Sequence, residues 1–177
     1  MSSNDMEIID YTNIKGDNRQ ALKLIAGKAK KTGIKIELEP VWGQVNVLAQ
    51  ARDIAALCRL LKEDGELSFE YIRSITGSDF QDRYEVVYSL YSFAHGWSVN
   101  IKVKLDHDKP EVESITGIYK GAVWFEREVW EMLGIDIKGH PDLRPLLLVG
   151  DQDFHPLRKS FEIKWEERKY IPTEKFE

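Results

Sequence analysis

Apolar residues between Asp17 and Lys31 recur at helical spacing: Leu22, Ile25, Ala26 and Ala29 share one face. Asp17 or Asn18 can cap the start with a short side-chain oxygen. Lys28, Lys30 and Lys31 fall in the last turn, where positive charge suits the helix dipole, and Gly33 can end it. Ile34, Ile36 and Leu38 then alternate with Lys35, Glu37 and Glu39, the period of a half-buried strand. Val41, Gly43, Val45 and Val47 predict another. Residues 50–64 read as a second helix, with Ile54, Leu57, Cys58 and Leu61 at i, i+3, i+4 and i+7 and Gly65 after the end. Phe69 to Ile75 reads as a strand, followed by a turn region through Gly77-Ser78-Asp79 and Gln81-Asp82. Tyr84 to Phe93 is a Tyr- and Val-rich strand. After a turn at His95-Gly96, Val99, Ile101, Val103 and Leu105 alternate with polar residues in another. Their closeness in sequence predicts an antiparallel hairpin.

Helices and strands without a regular βαβ rhythm point to an α+β fold, a mixed and largely antiparallel sheet with packed helices. The character changes after Pro110. Gly121 to Leu133 predicts a short helix ended by Gly134. Beyond it, Gly139, Pro141, Pro145, Gly150, Pro156 and Pro172 predict an extended, largely irregular segment. The chain thus divides into an α+β domain, 1–120, and a short helix with an extended C-terminal tail, 121–177. The tail carries Phe154, Phe161, Trp165, Tyr170 and Phe176. Disordered tails are poor in such residues, so docking onto another surface explains it better.

At 177 residues the chain can bury a core without disulfide or metal staples. A single cysteine excludes an intramolecular disulfide framework, Cys-ligated zinc and an iron–sulfur cluster held by this chain alone. Cys58 lies in an apolar stripe and reads as a buried hydrophobe. A formal net charge of −5 argues against general nucleic-acid binding. The polar, acidic opening Met1–Glu7 predicts no secretory leader, and the apolar runs are far short of the ~20 residues of a membrane span.

Phosphate-loop, dinucleotide, zincin and nucleophile-elbow motifs are absent. Two His and two Asp, namely His140, Asp142, Asp153 and His155, could imitate a metal site and would suit a metal-dependent hydrolase. Against this, each His precedes Pro, which holds it extended, and each His-Pro leads on to Leu and Arg, a pattern of rigid docking turns. Glu126-Arg127-Glu128 with Glu131 could divide acid and base roles, form a solvated helix face, or make a polar contact surface bridged by the Arg127 fork. Trp124 and Trp130 among these charges argue against plain solvation. Lys28, Lys30, Lys31 and Lys35 form a basic cluster that helix-end placement largely explains, with an anion or nucleic-acid role as the weaker alternative.

The run from Trp124 through Glu126-Arg127-Glu128-Val129-Trp130-Glu131 to Ile135, then Gly139-His140-Pro141-Asp142-Leu143-Arg144, then His155-Pro156-Leu157-Arg158-Lys159-Ser160-Phe161, resembles the C subunit of NADH-quinone oxidoreductase, the 30-kDa subunit of respiratory complex I. Asp82-Arg83-Tyr84-Glu85-Val86-Val87-Tyr88 is similar to a strand of the same family. Pro145 stands where many members carry a second Arg. The resemblance implies a non-catalytic subunit of the peripheral arm of a proton-translocating complex, on the cytoplasmic side of the cell membrane. It implies no cofactor in this chain, while the complex would use NADH, flavin, iron–sulfur clusters and quinone. The implied partners are the D subunit, which helps form the quinone site, and the B and I subunits, with membrane contact only through the complex. Trp124, Glu126, Arg127, Glu128, Glu131, His140, Arg144, His155 and Arg158 become the expected partner-binding set. The four residues of the Glu-Arg-Glu box would make ion pairs between subunits or within the turn, and the His and Arg residues would fix the tail. Relatives fed by reduced ferredoxin or deazaflavin, or belonging to membrane-bound hydrogenases, leave the electron donor open.

Overall fold

A computed structural model describes residues 18–41, 44–148 and 153–162. Two amphipathic helices, α1 (Asn18–Thr32) and α2 (Ile54–Glu63), turn Ala21, Leu22, Ile25, Ala29, Ile54, Leu57, Cys58 and Leu61 inward. Asn18 does not cap α1; its Oδ1 accepts the Ser98 N–H at 3.1 Å and ties the helix start to the sheet. Asp17, the other candidate cap, lies outside the described residues.

The helices cover a five-stranded mixed sheet formed by β1 (Ile36–Val41), β2 (Gln44–Ala49), β3 (Tyr71–Asp79), β4 (Arg83–Ser92) and β5 (Trp97–Asp106). The spatial order is β1-β2-β5-β4-β3, and only β2 and β5 run parallel. Strict alternation puts Val99, Ile101, Val103 and Leu105 of β5 and Tyr84, Val86, Tyr88 and Leu90 of β4 in the core.

The expected turn at Gly77-Ser78-Asp79 is corrected: those residues continue β3, paired with Val86, Glu85 and Tyr84. Turn-like composition misleads here because Gly77 is needed for packing. A Cβ there would overlap the Leu133 side chain and touch Val129 and Ile135. The actual turn spans Phe80–Asp82, with Gln81 at φ 69° and its N–H bound by Asp79 Oδ1 at 2.7 Å.

Past the sheet, β6 (Glu111–Glu113), α3 (Ala122–Leu133) and β7 (Asp136–Lys138) form a small βαβ unit, its two strands parallel. The irregular segment expected from residue 134 therefore begins later, after β7. A strand this short, set between Gly134 and Gly139, shows no period. Val129, Met132, Leu133, Ile135 and Ile137 join the main core. Residues 139–148 and 153–162 follow as loops; Trp165, Tyr170, Phe176 and Pro172 lie outside the described residues.

Candidate functional site

Helix α3 is the scaffold. Gly134, at φ 70°, ends it, and the Gly134 N–H closes back on Trp130 O at 2.8 Å. An α-helix leaves its last four carbonyls without helical partners. Here a downstream turn supplies the other three. His155 Nδ1 donates to Glu131 O at 2.9 Å, the Leu157 N–H to Met132 O at 3.0 Å and Arg158 Nε to Leu133 O at 2.7 Å. The Arg158 cation also suits the negative end of the helix dipole. A Cβ on Gly134 would overlap both the Arg158 guanidinium and the His155 ring, so glycine is required twice over. The clasp continues to the sheet, where Asp79 Oδ2 accepts the Lys159 N–H at 2.8 Å.

The charged residues of the box are mostly inside. Glu126, Arg127 and Glu131 are 1 %, 5 % and 4 % exposed. Among the described residues these three meet backbone groups and the Ser114 hydroxyl rather than an opposite charge, which corrects the expected ion pairs within the turn. Glu126 accepts the Ile115 N–H and the Ser114 hydroxyl, both at 2.7 Å. Burial outweighs these donors and pushes its carboxyl above the ordinary value. Arg127 donates from Nε to Arg144 O at 3.0 Å and from Nη2 to Pro145 O at 2.7 Å, and it lies against the Trp124 ring. Glu131 accepts the N–H groups of Leu147 and Leu148 at 2.9 and 2.8 Å. Burial would raise its pKa, but these donors and the nearby Arg127 hold the carboxyl below its ordinary range. The physical reason for the correction is loop geometry: buried charges need donors or acceptors, and the 114–116 and 144–148 backbones bring them.

His140 donates from Nε2 to Val123 O at 3.1 Å and accepts the Asp142 N–H on Nδ1 at 3.0 Å. This fixes a neutral tautomer. Asp142 pairs with exposed Arg144 at 2.9 Å. With His155 held by a carbonyl, the four metal candidates do not converge; among the described residues no group of three or more His, Cys, Asp or Glu could hold a metal ion. Cys58 is fully buried, and burial raises its thiol pKa far above the usual range.

Outside this clasp, Trp124 (59 % exposed), Glu128, Leu147, Phe154 and Leu157 face solvent. Phe154 stacks on Phe161, and a shallow recess lies between Trp130, Pro145, Leu148 and Phe154. Sequence reasoning missed Asp79, Ser114 and the second role of Gly134. Only Gly134 carried a local signal, as a helix stop.

A family model described as "Respiratory-chain NADH dehydrogenase, 30 Kd subunit" matches residues 47–167, which contain the whole clasp. The chain belongs to this family. It is 32 % identical over 155 residues to the NADH-quinone oxidoreductase C subunit of Geotalea uraniireducens, covering 86 % of this chain and 92 % of that one. It is 42 % identical over 123 residues to the corresponding C subunit of Rhizobium rhizogenes, covering 68 % of this chain and only 61 % of that relative's length. The 30-kDa fold recurs in a solved trypsin-resistant fragment of Nqo5, with TM-score 0.52 and 25 % identity over 70 % of this chain and 99 % of that one. A chain of a membrane-bound sulfane sulfur reductase, an archaeal respiratory membrane complex, shares the fold with TM-score 0.73 at 22 % identity, over 92 % of this chain and 96 % of that one.

Proposed function

We propose that this chain is a non-catalytic peripheral-arm subunit of a proton-translocating NADH:quinone oxidoreductase. It docks on the quinone-site D subunit, lies near the B and I subunits on the cytoplasmic side of the membrane, and supports electron transfer without a cofactor of its own. Flavin, iron–sulfur clusters and quinone belong to the companions. The reading rests on family membership together with one structural observation: the exposed apolar residues Trp124, on α3, and Leu147 and Leu157, on the loops clasped to that helix, face solvent. A rigid apolar platform with a polar rim is what a stable subunit contact uses. Among the described residues, no helix is long and apolar enough to cross a membrane.

The test is purification through a tag on the chain in its native cell. The expected result is an assembly containing flavin and iron–sulfur proteins that couples NADH oxidation to quinone reduction, with Trp124 and Leu147 at a protein contact. Replacing both by Ser should cost roughly 2 kcal/mol of docking, while the fold survives with only the small loss from the Arg127–Trp124 contact. Recovery of the chain alone, carrying its own redox cofactor and activity, contradicts the proposal. The donor-side companions identify whether NADH, ferredoxin or deazaflavin feeds the complex.

A further inference from the structure

Helix α1 carries five basic side chains, Arg19, Lys23, Lys28, Lys30 and Lys31, and no acidic one, in a chain with 30 acidic and 25 basic residues. Its apolar face is spent on the core. Lys23, Gly27, Lys30 and Lys31 face solvent on the opposite side, with Arg19 half-buried at the same stripe and exposed Lys35 just beyond the helix. Only Lys28 is paired, to Asp64 at 2.6 Å and Glu66 at 2.5 Å; among the described residues the others have no carboxylate within 4.0 Å.

The fold does not account for this face. The helix dipole favours Lys30 and Lys31 in the last turn, but it disfavours Arg19 in the first and does nothing for Lys23 in the middle. Gly27 costs the helix about 0.5–1 kcal/mol relative to Ala, and nothing lies within 4 Å of where its Cβ would be. Packing therefore does not require a glycine there, whereas a neighbour approaching the helix backbone closely does. We propose that the outward face of α1 docks against an acidic surface of another protein subunit in the same assembly. This inference rests on the reading of the chain as a complex subunit. It concerns a second surface: α1 leans on β5 inside the sheet order, whereas α3 leans on edge strand β3.

Charge complementarity selects an anionic occupant. A protein surface fits better than a lipid surface: an interfacial helix presents apolar side chains outward, and those of α1 point into the core.

The experiment is zero-length carbodiimide cross-linking of the assembled complex, read by mass spectrometry. Cross-links from Lys23, Lys30 or Lys31 to Asp or Glu of another subunit are expected. The charge-reversed chain K23E/K30E/K31E, and the milder K23Q/K30Q, should lose these links. The reversed chain should be retained about tenfold less in the complex at physiological ionic strength, with only the small drop in melting temperature that negative charge at the C-terminal end of α1 costs, and K23Q/K30Q should weaken retention with the fold intact. Raising the salt should reproduce the loss in the wild type. If α1 lysines form no links while other subunit contacts do, and K23E/K30E/K31E is retained like wild type, the inference is overturned. Flotation of the full chain with phosphatidylglycerol vesicles, abolished by the reversal, overturns it in favour of a membrane surface. Failure of the wild-type chain to enter any complex overturns the functional proposal, and this inference with it.

Discussion

The sheet with α1 and α2 and the helix α3 with its loops are held together in different ways. In the first, burial of apolar side chains does the work, and Tyr88, Leu90, Ile101 and Leu61 are almost fully enclosed. In the second, buried Glu126, Arg127 and Glu131 and half-buried Arg158 reach across 11 to 25 residues of chain to backbone groups that would otherwise lack partners. One region is patterned by periodicity; the other is stitched by a few charged side chains. A cluster that looks like an interaction surface on a helix can be the internal fastening of the surface actually presented.

The largest effect should come from the sheet. Leu90→Ala should cost about 2–5 kcal/mol and lower the thermal transition of the whole chain, since a cavity at the centre is shared by every element. Glu131→Ala should cost roughly 1.5–3 kcal/mol, because hydrogen bonds to a charged acceptor are strong and two loop N–H groups lose theirs. Its signature is local: faster amide exchange at 144–148 with the β4–β5 hairpin unchanged. If the hairpin loosens equally, the two regions are one cooperative unit. Arg158→Ala should cost about 0.5–1.5 kcal/mol through the exposed Leu133 carbonyl, and should free 155–159 more than 144–148.

The smallest and most graded effect is that of acid. Glu131 and Asp79 both hold their protons less tightly than usual because backbone N–H groups favour the ionised form. Their contribution is fully present above the unfolded carboxylate pKa and is lost as pH falls below about 4 through the depressed folded values. Glu126 acts in the opposite sense, since its raised pKa makes protonation in the fold easier than in the unfolded chain. The loops should therefore loosen on acidification before the contact between Glu126 and residues 114–115 suffers. Exchange or fluorescence of Trp124 against pH checks the order.

The difference between the regions also explains what the sequence revealed. Leu22, Ile25, Leu57 and Leu61 mark their helices by local spacing, and Val99 to Leu105 marks β5 by alternation, so these elements are legible directly. Gly77 looked like a turn because its partner, Leu133, lies far along the chain in α3. β7 is too short to show a period. Arg127 and Glu131 stood out chemically, yet nothing local says that their partners are the carbonyls of Arg144 and Pro145 and the N–H groups of Leu147 and Leu148. Asp79 gave no sign of holding Lys159, 80 residues on.

Arg127→Ala puts the two roles of the box in order. It should release the 144–145 carbonyls inside the chain first and weaken assembly as a consequence. The most direct measurement is amide hydrogen exchange at Leu147, Leu148, Leu157 and Lys159 in the full chain free of partners. These amides should be protected in the free chain, and Glu131→Ala should remove the protection at Leu147 and Leu148. Exchange at unprotected rates in the free chain, with protection arising only inside the complex, would contradict the account.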